Sequence, residues 1–159
     1  MALEIERKFL VSSDSWRTQA DGGQRIRQAY LASSDTNTVR IRIINEATAR
    51  LTVKSGYRGL TRDEFEYAIP VSDAVAMLAL RESGLVDKVR YNVEHNNLIW
   101  EIDVFAGDNV GLVMSEVELD DENMPISLPE WIKQEVSGDA RYQNSALAAT
   151  PYTTWNLAK

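Results

Sequence analysis

The sequence predicts a mainly β domain of about eight antiparallel strands with a few short helices. Three observations predict it. Apolar and polar residues alternate with a period of two over most of the chain, as in strands with two unlike faces. The alternating runs follow one another through short polar turns, as hairpins do. Helical periodicity is confined to brief segments, too little to cover a large sheet.

Leu3 to Val11 sets Glu4, Glu6 and Lys8 against Leu3, Ile5, Phe9 and Val11 and reads as the first strand. Arg25 to Ala32 is the second. Val39 to Asn45 and Arg50 to Ser55 form a hairpin around Glu46-Ala47-Thr48, and Arg62 to Pro70 is the fifth strand. Ser72 is a suitable N-cap for a helix over Asp73 to Ser83, and Gly84 a suitable stop. Leu85 to Glu94 and Leu98 to Phe105 pair across His95-Asn96-Asn97, and Val113 to Leu119 is the eighth strand. Pro129 and Glu130 suit the first turn of a helix ending near Gly138. Asp14 to Gln19 and Asn144 to Ala149 are further short helical segments. Hairpins in this order favour an antiparallel meander, and an even strand count lets the sheet close on itself.

The 159 residues fit a single domain over 1–159. At that size folding buries roughly 70% of the surface of the unfolded chain, so no covalent staple is needed. There is no cysteine, which excludes thiol chemistry and zinc-thiolate sites and suits the cytoplasm, the location expected here. The charged opening Met1-Ala2-Leu3-Glu4-Ile5-Glu6-Arg7-Lys8 makes no signal-peptide core. No apolar run approaches the about 20 residues of a membrane span, so no membrane partner is expected. A net charge of −7 and a pI near 4.8 argue against nucleic acid as a partner. The chain has no P-loop and no dinucleotide fingerprint. His95 is the single histidine and lies in a predicted turn, so no Ser-His-Asp arrangement can form. Trp16, Trp100, Trp131 and Trp155 read as packing residues.

The charges are sorted. Glu4 with Glu6, Arg40 with Arg42, Glu64 with Glu66, Lys88 with Arg90, Glu101 with Asp103, and Glu116 with Glu118 each share a strand face at i and i+2. Lys54 shares a face with Thr52. For any one strand, a solvated outer face accounts for the pattern. Yet a solvated face usually mixes signs, and like charges two apart repel and add nothing to folding; such costs are expected at functional sites. Turning the charged faces into a solvated lumen, with the apolar faces packed outward, resolves the conflict. Pattern alone leaves both orientations open.

Paired carboxylates are oxygen ligands for hard cations such as Mg2+ or Mn2+. Arginine and lysine rings match phosphate oxygens. Acidic and basic patches in one cavity therefore suit a metal-complexed polyanion, and a polyphosphate is the natural candidate.

The opening Glu4-Ile5-Glu6-Arg7-Lys8 resembles the Glu-x-Glu-x-Lys signature of the CYTH family, the triphosphate tunnel metalloenzymes. Further family features follow in order: Gln28-Ala29-Tyr30-Leu31, Arg40-Ile41-Arg42, Leu51-Thr52-Val53-Lys54, Glu64-Phe65-Glu66, Lys88-Val89-Arg90, Glu101-Ile102-Asp103, Glu116-Val117-Glu118 and Arg141-Tyr142-Gln143-Asn144. The resemblance implies an eight-stranded antiparallel closed β-barrel, a tunnel with a charged lumen and a few flanking helices. It also implies metal-dependent hydrolysis of a small anionic triphosphate. By that match Glu4, Glu6, Glu116 and Glu118 hold the metal, with Asp103 a further acidic candidate. Lys8, Arg40, Arg42, Lys54, Lys88 and Arg90 bind phosphate, and Arg141 adds a basic residue near the C-terminal end. Tyr30 is expected close to Lys8 on a neighbouring strand. Lys8 then either acts in the chemical step with Tyr30 or serves as another phosphate clamp. Glu64, Glu66 and Glu101 have supporting roles. The chain resembles the small bacterial members without an appended helical domain, which favours inorganic triphosphate. Adenylyl cyclase, thiamine or nucleoside triphosphatase, and a non-catalytic polyphosphate binder are the alternatives. The oligomeric state has no signature in the sequence.

Overall fold

The computed structural model describes residues 2–156. Nine strands form one sheet: β1 (Ala2–Val11), β2 (Gln24–Ser33), β3 (Asn37–Ile44), β4 (Thr48–Ser55), β5 (Thr61–Ile69), β6 (Val86–His95), β7 (Leu98–Ala106), β8 (Val113–Glu118) and β9 (Ile132–Glu135). All pairings are antiparallel, and the first eight strands close in the ring order β1-β5-β4-β3-β2-β6-β7-β8. The order is two meanders joined by β2–β6, with β1 closing the ring, rather than one continuous meander. β1 is shared: Ala2–Ile5 pairs with β5, Glu6–Leu10 with β8, and Phe9 and Val11 with β9.

Two tight turns match their residues. Asn45 and Glu46 turn β3 into β4, and Asn96 and Asn97 turn β6 into β7, all at positive φ. The second is a two-residue hairpin, in which asparagine tolerates the left-handed region. His95 ends β6, paired with Leu98, just before it.

The helices are short. α1 (Val71–Met77) begins after Pro70, so Ser72 lies inside it instead of capping it; a 3-10 turn over Leu78–Leu80 extends it. α2 (Asn144–Ala149) falls where the sequence places it, and Ser15–Gln19 is a 3-10 helix. The helix expected from Pro129 to Gly138 is instead strand β9. The reason is the edge of β1: β5 leaves it after Ile5, and a strand there satisfies backbone groups a helix could not. Among the described residues no helix is long and apolar enough to cross a membrane.

The apolar faces point outward and are covered locally. Ala29, Ile41, Ile43 and Ala49 pack under Ala74 and Leu78 of α1 and its extension. Phe9, Val93, Trp100, Ile102 and Val117 pack with Trp16, Leu119 and Trp131. Trp155 packs on Tyr142 and Tyr152, so all four tryptophans are packing residues. A third cluster lies on the lumen side. Tyr30, Val86, Phe105 and Met114 share strand parity with Gln28, Lys88, Asp103 and Glu116, and they pack with Tyr142, Leu147 and Ala148. The lumen is therefore charged along part of its length and plugged by an apolar cluster that includes α2.

Candidate active site

Strand parity directs the sorted charges into one cavity of ≈ 190 Å³. Its lining includes Glu4, Glu6, Lys8, Tyr30, Arg40, Arg42, Lys54, Glu64, Glu66, Arg90, Glu101, Glu116 and Glu118, and is almost wholly polar.

The cations fall into two groups. One is held by carboxylates. Lys54 Nζ donates to Glu4 at 2.8 Å and lies 3.3 Å from Glu64. Lys8 Nζ sits 3.6 Å from Glu6 and 3.7 Å from Glu116. Burial works against the Lys8 charge, but Glu116 and Glu6 outweigh it and hold the ammonium above its usual range. Arg90 donates to Asp103 and Glu101, both at 2.7 Å, and reaches Glu116 at 3.3 Å.

The other group is Arg40 and Arg42 on β3. Arg42 Nε donates to the neutral Gln28 at 2.8 Å, and no carboxylate pairs with it among the described residues. Burial, then Arg40 and Arg90, push its guanidinium below the usual arginine range. Arg40 lies 3.7 Å from Glu66, but its buried Nε has no partner. A buried donor without an acceptor is costly, and an anion entering the cavity would supply one.

The carboxylates show the complementary imbalance. Burial works against the charge on Glu4 and Glu116, yet their cations outweigh it: Lys54 and Arg62 lower Glu4, while Lys8 and Arg90 hold Glu116 well below its usual range. Glu6 and Glu118, directly opposite across β1 and β8, are raised instead. Burial and then Glu116 raise Glu6; burial and then Glu4 and Glu64 raise Glu118. In the ring, β8 stands four strands from β3 in either direction, so the under-neutralised carboxylates face the under-neutralised arginines across the lumen.

The profile of the CYTH domain matches residues 2–150. The chain belongs to the CYTH domain family. It is 43% identical over 153 residues to an inorganic triphosphatase of Acetivibrio thermocellus, covering 96% of this chain and 97% of that protein. It is 34% identical over 151 residues to an inorganic triphosphatase of Nitrosomonas europaea, covering 91% of this chain and 96% of that one. A crystal structure of an inorganic triphosphatase superposes with a TM-score of 0.63 at 34% identity, covering 93% of this chain and 95% of that chain.

In this CYTH domain the donor set fits a divalent cation. Among the described residues no three acidic or histidine side chains are already gathered around one point. Glu6 and Glu118 nevertheless stand directly opposite each other on paired strands, two carboxylates whose mutual repulsion a cation would relieve. Magnesium and manganese sites of this kind take their remaining ligands from water and phosphate oxygens.

Three residues of the family match do not line the cavity. Asp103 and Lys88 are both 0% exposed, bonded to each other at 2.6 Å behind Arg90. Burial, then Arg90 and Arg42, push the Lys88 ammonium down against the pull of Asp103. Asp103 also accepts from Arg90, and Lys88 donates to Asn144 at 3.1 Å. Arg141 lies outside, paired with the surface Asp139 at 2.7 Å and stacked on Trp155. The expected placement of Tyr30 and Lys8 on neighbouring strands also fails, although both line the cavity. β1 and β2 stand four strands apart either way round, so they face each other across the lumen. Tyr30 belongs to the apolar plug and lies near Arg42.

The structure adds residues that the motifs did not single out. Arg62 donates to Glu4 at 2.7 Å and lies 3.7 Å from Glu6. It shares strand parity with Glu64 and Glu66, a signal that was available. Tyr57, from the β4–β5 loop, donates its hydroxyl to Glu6 Oε1 at 3.1 Å. Burial pushes its phenol well above the usual range. Gln143, Asn144 and Ser145 reach the lining from the start of α2.

Proposed function

We propose that this protein is a divalent-metal-dependent triphosphatase that hydrolyses inorganic triphosphate to pyrophosphate and phosphate. The observation that carries the reading is the arrangement of the lumen: on β3 Arg40 has an unpartnered buried Nε and Arg42 no carboxylate partner among the described residues, while Glu6 and Glu118 stand opposite each other on β1 and β8. A polyphosphate with its cation supplies both missing partners at once. The 43% and 34% identical inorganic triphosphatases support the same substrate.

In this reading Arg40 and Arg42 bind phosphate oxygens, and Lys8, Lys54, Arg62 and Arg90 neutralise the rest of the chain as their carboxylates share charge with it. Glu6 and Glu118, with Glu116 and Glu4 beside them, hold Mg2+ or Mn2+. The bound cation would neutralise phosphate charge and orient the phosphoanhydride for attack by water. Lys88 and Asp103 act through Arg90. Glu64 and Glu66 orient Lys54 and Arg40, and Glu101 orients Arg90. Lys8, between Glu6 and Glu116, clamps phosphate in this reading.

A second reading, an organic triphosphate, draws on an adjoining cavity of ≈ 470 Å³ with mixed polar and apolar lining, which shares Thr38, Arg62, Gln143 and Ser145 with the charged one. One experiment tests both. Purified protein is assayed with tripolyphosphate, ATP and thiamine triphosphate under Mg2+, Mn2+ or Ca2+, with detection of phosphate and cyclic AMP. Tripolyphosphate should be hydrolysed fastest, EDTA should abolish turnover, and added Mg2+ or Mn2+ should restore it. Full activity in chelated protein would overturn the metal requirement, and faster turnover of an organic triphosphate would favour the second reading.

A further inference from the structure

We propose that Tyr57 is a positioning residue that presets the Glu6 carboxylate for its cation and fixes the neighbouring Arg62. The inference rests on Glu6 being a cation ligand. Tyr57 supplies the side-chain hydrogen bond to Glu6, and two cations approach the same carboxylate. The Tyr57 hydroxyl is 3.1 Å from Oε1, Lys8 Nζ 3.6 Å and Arg62 Nη2 3.7 Å. A carboxylate tethered by a hydroxyl from a pinned loop has its rotation settled before a cation arrives. The same tyrosine ring lies under the Arg62 guanidinium, 4.2 Å from centroid to carbon.

The loop that carries Tyr57 is pinned on both sides. Gly56 N–H donates to Thr36 O at 2.8 Å, and Arg58 and Thr61 exchange backbone hydrogen bonds at 2.7 and 3.1 Å. A Cβ on Gly56 would stand 2.2 Å from Asp35 O, so the backbone approaches the β2–β3 loop as closely as only glycine permits. Tyr57 is thus delivered to Glu6 by backbone contacts that do not depend on any ligand. Groups that orient a metal ligand from behind typically contribute 10–100-fold in metal affinity or activity.

Two variants separate the parts. Tyr57→Phe keeps the ring under Arg62 and removes the hydroxyl; Tyr57→Leu removes both. Binding of Mn2+ is followed by loss of the free-ion EPR signal, with and without imidotriphosphate, alongside Tm and steady-state kinetics. Tyr57→Phe should bind Mn2+ about tenfold more weakly, with kcat at saturating Mn2+ within about twofold and Tm lower by no more than about 4 °C. Tyr57→Leu should in addition raise KM for tripolyphosphate. Wild-type Mn2+ affinity in Tyr57→Phe overturns the proposal. So does weakened binding that appears only with a larger fall in Tm, because Tyr57 would then be a packing residue. A wild-type protein that binds Mn2+ but cleaves no triphosphate sinks the functional reading alone, and the EPR comparison still decides the role of Tyr57. A wild-type protein that binds no Mn2+ under either condition overturns both.

Discussion

Lys8 lies between Glu6 and Glu116, and their attraction outweighs its burial, so its ammonium persists to high pH. A lysine kept charged in this way binds anions well and accepts protons poorly. Lys8→Met should therefore raise KM for tripolyphosphate about tenfold or more, the equivalent of one charge-assisted hydrogen bond of about 1.5–3 kcal/mol, while kcat falls less. The alkaline limb of the pH–rate profile between about pH 7 and 10 should not move, because a raised lysine pKa lies beyond that window. A strong fall in kcat with unchanged KM would return Lys8 to the chemical step. At this scale the sequence was informative wherever side chains repeat at i and i+2. Lys8, Arg40, Arg42 and Glu116 all reach the cavity because strand parity sends them there. Tyr57 was not legible: it comes from a loop, where no periodicity says which way a side chain points. Tyr30 was assigned a neighbour that depends on strand order, which the residues around it do not encode.

The β6–β7 pair carries a deeply buried charge cluster: Asp103 bonds both Lys88 and Arg90, with Lys88 and Asp103 0% exposed. Removing one member leaves buried charges uncompensated, at a cost of about 3–5 kcal/mol. Asp103→Ala should lower Tm by about 6–20 °C in metal-free protein. A normal Tm with a raised Mn2+ requirement would instead make Asp103 a direct cation ligand. The β1–β8 pair behaves in the opposite sense. Glu118 is exposed, and Glu4, Glu64, Glu101 and Glu6 add to the partial burial that raises its carboxyl. A folded-state pKa above the unfolded one contributes stability below the ordinary carboxylate range, and that contribution is lost as pH rises through the raised value. At neutral pH the ionised group therefore costs stability. Opposed like charges on paired strands are worth up to about 1 kcal/mol before solvent screening. Without divalent cation, Glu118→Gln should raise Tm by about 1–3 °C at pH 7.5, and the gain should vanish near pH 4. A lower Tm at pH 7.5 would show that Glu118 has a stabilising partner. Elements were legible where one rule governed them, as in the asparagine turn before β7. The segment before Gly138 was misread because Pro129 satisfies helix starts locally, while the open edge of β1, distant in sequence, required a strand.

At the scale of the whole molecule, the cations come from both meanders and from β1, so they surround the ligand instead of lining one side of it. A shorter polyanion cannot reach both walls. Pyrophosphate should be cleaved with kcat/KM at least about tenfold below tripolyphosphate, the loss of one charge-assisted contact or more, and should compete with it. Equal efficiency on the two would count against a cavity fitted to three phosphates. The sorted charges made a charged lumen worth considering, but periodicity is symmetric between inside and outside. The apolar plug around Phe105 and Met114 was hidden for the same reason, since its residues continue the charged face of their strands.

The placement of β1 has a consequence for how the protein comes into being. Its partners on β8 include Glu118 opposite Glu6, so the ring cannot shut until a segment more than a hundred residues downstream has been synthesised. Pairings this far apart carry the largest loop-closure entropy and form slowly. Closing β1 between β5 and β8 sets Glu6 beside Glu118 in the same event that completes the ring. A ligand that binds only the closed ring stabilises it by mass action.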